Sequence, residues 1–305
     1  MPSGESDATS KLDEVASAFV RLRPRLFGIA YRMLGDATEA EDLVQEVWLR
    51  WQNTDRSVVL NPAAFLATAI TRLAINVAQS ARARREAYVG PWLPEPVDTS
   101  ADPEVGAERG EALELAVLLL LERLSPTQRA AYVLRDAFDY SYEAISEIVQ
   151  LEQANVRQLV SRARKHLAEG RRAPVSTDQH RRLLSAFLVA AQAGDFAALE
   201  GLFAADVVSF SDGGGVIGVA RVPVSGRTRV ARFMAITARK FWPGKTTAWV
   251  AVNGRAGVLV SRGDTAVALL MIGASDTGIE QLLWIMSPSK LAAFARSLAG
   301  ARRPA

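Results

Sequence analysis

Through residues 12–35 the apolar positions Phe19, Leu22, Leu26, Ile29, Ala30, Met33 and Leu34 recur at helical spacing, which predicts a helix ending at Gly35-Asp36. Thr38 and Glu41 then stand as a capping box and predict a second helix running to about Gln52. Its apolar face is Leu43, Val44, Val47, Trp48 and Trp51; Asp42, Glu46 and Arg50 share the other side. Asn61-Pro62 opens a third helix, since proline suits a first turn whose N–H groups lack partners anyway. That helix carries Phe65, Leu66, Ile70, Leu73, Ala74 and Val77 inward and ends in Arg82, Arg84 and Arg85.

The periodicity breaks at Pro91-Trp92-Leu93-Pro94-Glu95-Pro96, where the prolines forbid a helix and favour an extended segment. An acidic stretch follows, and the helical pattern resumes near Glu111 and continues through Leu115–Leu121. Ser125-Pro126 predicts an N-cap with a first-turn proline. A short helix, Tyr142–Val149, then a turn at Gln150-Leu151, then a longer helix from about Gln153 have the spacing of a helix-turn-helix. Ile145, Ile148, Leu151, Val156, Leu159 and Val160 face inward, and Ser146 is small where the two helices approach. The outer face presents Asn155, Arg157, Gln158, Ser161, Arg162 and Lys165, groups suited to base edges and phosphates. Gln150 stands where such units often place glycine. A plain helical hairpin would show the same pattern.

After Val175 the order becomes helix, helix, strand, helix, then several strands, which predicts an α+β domain. Helices are expected at 178–193, after Asp195, at 226–241 and after Pro288. Strands are expected at Val207–Phe210, 246–252, 256–262, 264–273 and 279–286, with a turn at Asp212-Gly213-Gly214-Gly215.

Composition narrows the function classes. A chain of 305 residues exceeds what one core usually serves, so two or three domains are expected. The absence of cysteine removes disulfides, thiolate metal sites and cysteine nucleophiles, and fits a reducing compartment. With only His166 and His180, a histidine-rich metal centre is excluded too, so no metal or cofactor is expected. No apolar run approaches the ~20 residues that span a bilayer, and the N-terminus is polar and acidic. A cytoplasmic protein without membrane attachment is the expectation. The formal net charge of +3 hides an asymmetry: up to Val175 there are 21 basic against 25 acidic residues, leaving 15 against 8 after it. The high pI therefore belongs to the C-terminal part and is no sign of nucleic-acid binding. Locally, Arg82, Arg84 and Arg85 form one basic knot and Arg157, Arg162, Arg164, Lys165, Arg171 and Arg172 another, two places where phosphate could sit. Ordinary solvated helix faces would look similar.

The stretch Asp42–Trp51 resembles region 2.2 of bacterial RNA polymerase sigma factors, and Tyr140–Leu167 resembles region 4.2 of their extracytoplasmic-function (ECF) group. The C-terminal element order is similar to the SnoaL-like branch of the NTF2-like fold, which one subgroup of these factors carries. Trp92–Pro96 matches that subgroup's WLPEP linker motif. Its DGGGK motif stands here as Asp212-Gly213-Gly214-Gly215-Val216, without the lysine, and its NPDKL motif as Ser287-Pro288-Ser289-Lys290-Leu291.

The resemblance implies a multidomain chain: two all-α sigma domains, the second a helix-turn-helix, followed by an α+β cone-shaped barrel. The boundaries are 12–90 for region 2, 91–110 for the linker, 111–172 for region 4 and 177–300 for a regulatory domain. It implies core RNA polymerase (large-subunit clamp helices and flap) and promoter DNA as partners. Asp42, Gln45, Glu46, Trp48 and Arg50 would dock on polymerase; for Trp51, core packing is the better expectation. Arg72, Asn76, Arg82, Arg84 and Arg85 would meet the −10 element. Asn155, Arg157, Gln158, Ser161, Arg162 and Lys165 would read the −35 element. The linker residues Trp92, Leu93, Pro94, Glu95 and Pro96 would contact Asp212, Gly213, Gly214, Gly215, Pro288, Lys290 and Leu291, with the glycines allowing close approach of the backbone. A sigma factor catalyses no reaction, and no catalytic residue is expected; an unknown small ligand in the C-terminal domain is part of the expectation. Two other readings stay open: a helix-turn-helix regulator with a small-molecule sensing domain, and an NTF2-like enzyme with a DNA-binding appendage.

Overall fold

The computed structural model describes residues 4–55, 58–100, 114–169, 175–216 and 218–301. The chain divides into two compact units, residues 1–83 with 121–169, and residues 84–120 with 170–305.

The first unit is helical. Helix α1 (Gly4–Leu34) starts before its apolar stripe does and ends at Gly35, whose φ of 63° suits a residue without Cβ. Helix α2 (Ala37–Gln52) is capped by Asp36, whose carboxylate accepts from Glu39 N at 2.8 Å. The capping box expected at Thr38 is therefore displaced: Thr38 lies inside the first turn. Asp36 is the residue still extended there, with φ −132°, and only an extended residue can turn its side chain onto the free N–H groups. Leu43, Val44, Val47 and Trp51 are buried as the spacing predicts. Trp48 is half-buried against Phe19, ring centroids 4.8 Å apart. Helix α3 (Pro62–Glu86) is capped by Asn61, whose Oδ1 accepts from Ala64 N at 3.1 Å. Leu66, Ile70 and Ala74 are buried, whereas Phe65 is partly exposed beside Trp51.

Helix α4 (Leu115–Leu121) belongs to the second unit up to Leu120; the first unit resumes with α5 (Pro126–Tyr132), capped by Ser125 as expected. A π-helical turn, Val133–Ala137, follows, which no sequence pattern announced. The unit holds several arginines inside. Arg129, 3% exposed, donates Nε–H to Arg32 O at 2.7 Å and pairs with Glu122. Arg32 lies 5.0 Å from the Phe138 ring centre, and Arg25 donates to Phe138 O at 2.8 Å. Helix α6 (Tyr142–Val149), capped by Ser141, and helix α7 (Gln153–Glu169) form the expected pair. Gln150 takes the left-handed conformation, φ 56°, at a backbone cost of about 1–2 kcal/mol that glycine would avoid. Bonds across the turn offset it: Leu151 N donates to Ser146 O at 3.2 Å, and Ser146 Oγ donates to Leu151 O at 2.5 Å.

In the second unit, helices α8 (Thr177–Ala193), α9 (Phe196–Leu202), α10 (Arg227–Phe241) and α11 (Pro288–Ala301) accompany a six-stranded sheet. Its strands are β1 (Phe203–Asp212), β2 (Val224–Ser225), β3 (Thr246–Val252), β4 (Arg255–Arg262), β5 (Thr265–Ser275) and β6 (Gly278–Ile285), ordered β2-β1-β6-β5-β4-β3. Among the described residues only β1 and β6 pair in parallel. The sheet is open, with β2 and β3 at its edges, so the expected closure into a barrel is corrected. Strand β2 has only two residues, and its sole strand partner is β1. The core lies between the sheet and helices α8 and α10: Leu184, Phe187, Val230, Leu270, Leu282 and Trp284 belong to it. Leu269, Met271, Leu283 and Ile285, at alternate strand positions, are buried too, and α11 packs on β5.

Candidate functional site: polar helix faces and a linker latch

Three exposed helix faces carry the residues expected to meet polymerase and DNA. On α2, Asp42, Gln45 and Arg50 are exposed and Glu46 and Trp48 half-buried. Glu46 and Arg50 form an ion pair of 2.5 Å on consecutive turns. The pair is about half exposed, so it contributes little to stability and leaves the face free for a partner. On α7, Asn155, Arg157, Gln158, Ser161, Arg162 and Lys165 are all exposed, while Val156, Val160 and Ala163 are buried. The 3.6-residue period thus separates a core stripe from a continuous polar stripe. Arg157 donates to Gln153 Oε1 at 3.1 Å, and Arg164 pairs with Asp136 at 2.9 Å.

The third set is divided. Asn76 is exposed on α3. Arg72 is not poised toward solvent alone: its Nε–H donates to Ile148 O and its Nη2–H to Glu147 O, each at 2.9 Å. The guanidinium thus serves carbonyls at the C-terminal end of α6, where the helix has no N–H to offer them. Arg82 lies on α3 with its side chain outside the described residues. Arg84 is exposed, whereas Arg85 stacks on the linker, its guanidinium carbon 3.7 Å from the centre of the Trp92 ring.

The most organised constellation lies inside the second unit, around Asp212. This residue ends β1 with no exposed surface. Its Oδ2 accepts from Lys290 Nζ at 2.7 Å and from Leu93 N at 3.0 Å. Its Oδ1 accepts from Tyr88 Oη at 2.6 Å and Gly214 N at 3.2 Å. Lys290 also donates to Leu93 O and lies 4.6 Å from the Trp92 ring centre. One buried ion pair thereby grips both backbone groups of Leu93, which has no exposed surface and is followed by the buried Pro94, Glu95 and Pro96. A carboxylate with four donors, one of them the ammonium, meets the condition under which a buried pair is tolerated. Burial, then the bond to Asp212 and its negative charge, push the Tyr88 hydroxyl far above its ordinary value, so it stays a donor.

The glycines act differently from the expectation. A Cβ on Gly214, φ 57°, would lie 2.9 Å from Ser287 Oγ and 3.3 Å from Tyr88 Oη, so this position admits only glycine. Gly213 instead faces Val219, and Gly215 faces open space. Of the three, Gly214 alone has a residue from the linker side close by, and that residue is Tyr88 rather than Trp92. Pro288 opens α11, and Leu291 is buried with its N–H on Ser287 O at 3.0 Å.

A second attachment was not foreseen. Asn253, buried at φ 51°, accepts from Val97 N at 3.0 Å through Oδ1 and donates its own N–H to Val97 O at 2.9 Å. Thr99 N donates to Ala251 O at 3.1 Å, and Asp98 makes an antiparallel bridge with Val252. The linker therefore continues the sheet at the edge of β3. Glu114 pairs with Arg255 at 2.6 Å. An Asn-Gly turn between strands was the visible signal at Asn253, but it marks a hairpin and says nothing about a third segment.

Comparison with known proteins gives these surfaces a context. Residues 18–85 match the model of sigma-70 region 2 and residues 114–167 that of sigma-70 region 4. The chain is 38% identical over 234 residues to the ECF RNA polymerase sigma factor SigJ of Mycobacterium tuberculosis, covering 75% of this chain and 74% of that one. It is 29% identical to the probable ECF sigma factor SigI of the same species, over 95% of this chain and 99% of that one. The crystal structure of M. tuberculosis SigJ superposes with a TM-score of 0.73 at 32% identity, covering 91% of this chain and 98% of that chain, sheet-containing part included. The chain therefore belongs to the ECF group of sigma-70 RNA polymerase sigma factors, initiation factors that bind core polymerase and promoter DNA and are not enzymes.

Proposed function

We propose that residues 12–90 and 111–172 are the two sigma domains, 91–110 the linker, and 177–300 a domain that regulates the factor in cis. The α2 face of Asp42, Gln45, Glu46, Trp48 and Arg50 docks on the clamp helices of the large polymerase subunit, and the second sigma domain on its flap. Helix α7 enters the −35 major groove with Asn155, Arg157, Gln158, Ser161, Arg162 and Lys165. Asn76 and the arginines at 72, 82, 84 and 85 meet the −10 element. For Arg72 this requires release of the Glu147 and Ile148 carbonyls it now serves. Arg85 likewise exchanges Trp92 for phosphate.

The regulatory part rests on one observation: the buried Asp212 carboxylate and Lys290 ammonium hold the linker segment that separates the two DNA-reading elements. A small ligand in the C-terminal domain would act through the same segment. The test is transcription with core polymerase on a cognate promoter by three forms. These are the full chain, a chain ending near Val175, and one ending near Met286, which loses Lys290. Altered output from both shortened forms supports control through the linker. Output equal to that of the full chain from both forms refutes it.

A further inference from the structure

The second unit contains a cavity of about 270 Å³ that none of these roles uses. Small residues, Ala191, Gly218 and Ala220 among them, leave the room. One corner is aromatic. Phe241 stands edge-on to Trp242 and to Trp284, with centroids 4.8 and 5.5 Å apart, and Trp242 and Trp284 are 6.3 Å apart. Rings so arranged offer faces and edges to a flat guest. Trp284 is only 5% exposed, and its indole N–H has no acceptor among the described residues. A buried indole donor ordinarily has one, so an acceptor-bearing guest would complete it.

An aromatic corner by itself would also suit a cation. The charged groups decide otherwise. Lys240 and Lys245 line the cavity, and no carboxylate is among its described lining residues. Lys245 lies 4.5 Å from the Phe241 ring centre, and burial, then the nearby Arg262, disfavour its ammonium. A negative charge there would relieve both. The cavity also includes Ser211 and Met286, the chain neighbours of Asp212 and Ser287, and Met286 N donates to Asp212 O at 2.7 Å.

We propose that this cavity binds a small planar aromatic anion, such as an aryl carboxylate, with its ring against Phe241, Trp242 and Trp284 and its charge toward Lys240 and Lys245. The assignment rests on the ligand-sensing part of the function proposed above and gives it a chemical class.

The experiment is calorimetric titration of the full chain with 2-naphthoate, indole-3-carboxylate and 4-hydroxycinnamate. Two comparison compounds are neutral 2-naphthamide and cationic 2-naphthylmethylammonium. Expected are saturable one-to-one binding of at least one acid, at least tenfold weaker binding of the amide than of 2-naphthoate where the latter binds, and none of the cation. Lys240→Gln, exposed and in the last turn of α10, should weaken the acid several-fold and leave the amide unchanged. Ala220→Trp, checked for folding by circular dichroism, should abolish binding by filling the space. No saturable binding by any of the three acids overturns the proposal. Binding of the amide or the cation as tightly as the acid overturns the anion assignment while leaving a ligand-sensing cavity in place.

Discussion

Asp212→Asn tests the linker latch at its centre. The substitution keeps the shape and removes the charge. Lys290, 6% exposed, then keeps a buried ammonium beside a neutral amide, and the new amide N–H₂ faces donors on one side or the other. Removing one member of a buried pair costs about 3–5 kcal/mol, because the remaining charge stays desolvated. At about 1.4 kcal/mol per tenfold, the docked linker should lose roughly 10²–10⁴ in its equilibrium against release. Leu93 supplies the direct reporter, since its amide hydrogen lies on Asp212 Oδ2. Hydrogen exchange of the Leu93 amide should accelerate by that factor or up to the limit set by complete release. Lys290→Met added to Asp212→Leu should recover part of the loss by removing both charges together. Unchanged Leu93 exchange in Asp212→Asn would refute the claim that this carboxylate holds the linker.

The remaining expectations concern other surfaces. Arg157→Ala or Arg162→Ala should weaken −35 binding and leave polymerase binding intact, with about 1–3 kcal/mol lost in discrimination at any base contacted; unchanged footprints of both variants would exclude α7 as the reader. Asp42→Arg with Glu46→Arg should abolish co-migration with core polymerase while circular dichroism stays native, because the Glu46–Arg50 pair it breaks is half exposed. Burial pushes the His180 imidazole below its ordinary 6.5; the bond from Nε2–H to Ile272 O opposes this, and Arg255 adds to it. Its neutral form is the folded one, so its contribution to stability is complete above about pH 6.5 and declines as pH falls below that value. His180→Gln should flatten the fall in Tm between pH 7 and 5, and an unchanged slope would remove His180 as its source.

What the sequence disclosed depended on distance along the chain. The helix-turn-helix was legible because Ile145, Ile148, Val156 and Val160 repeat within a few turns and Ser141 caps locally. Tyr142–Val149 and β3 (Thr246–Val252) coincide with the expected ranges for the same reason. Asp36 and Thr38 are both competent caps, and only the backbone angle at Asp36 chose between them. The two-residue strand β2 is too short to carry a period. Asn253 and Tyr88 escaped notice because their partners lie 156 and 124 residues away, where no local pattern reaches. Arg32 and Arg129 join inside the helical unit 97 residues apart, again beyond the reach of a local pattern. The motif resemblance bridged part of this gap: it grouped Leu93, Asp212 and Lys290, although it assigned approach by the linker to three glycines where Gly213 meets Val219 and Gly215 meets open space.

The span of the latch also sets a clock. Lys290 lies 197 residues downstream of the Leu93 carbonyl it holds. At roughly 5–20 residues per second, the ribosome takes about 10–40 s to make that stretch. In the later part of this interval both helical segments and the linker already exist, and the lysine that grips the linker does not. Every newborn molecule thus passes through a stage in which the segment around Trp92 has been synthesised and not yet claimed. Translation that pauses between β6 and α11 would lengthen that stage, so the onset of the proposed control is tied to completion of the last helix rather than to appearance of the proposed DNA-reading parts.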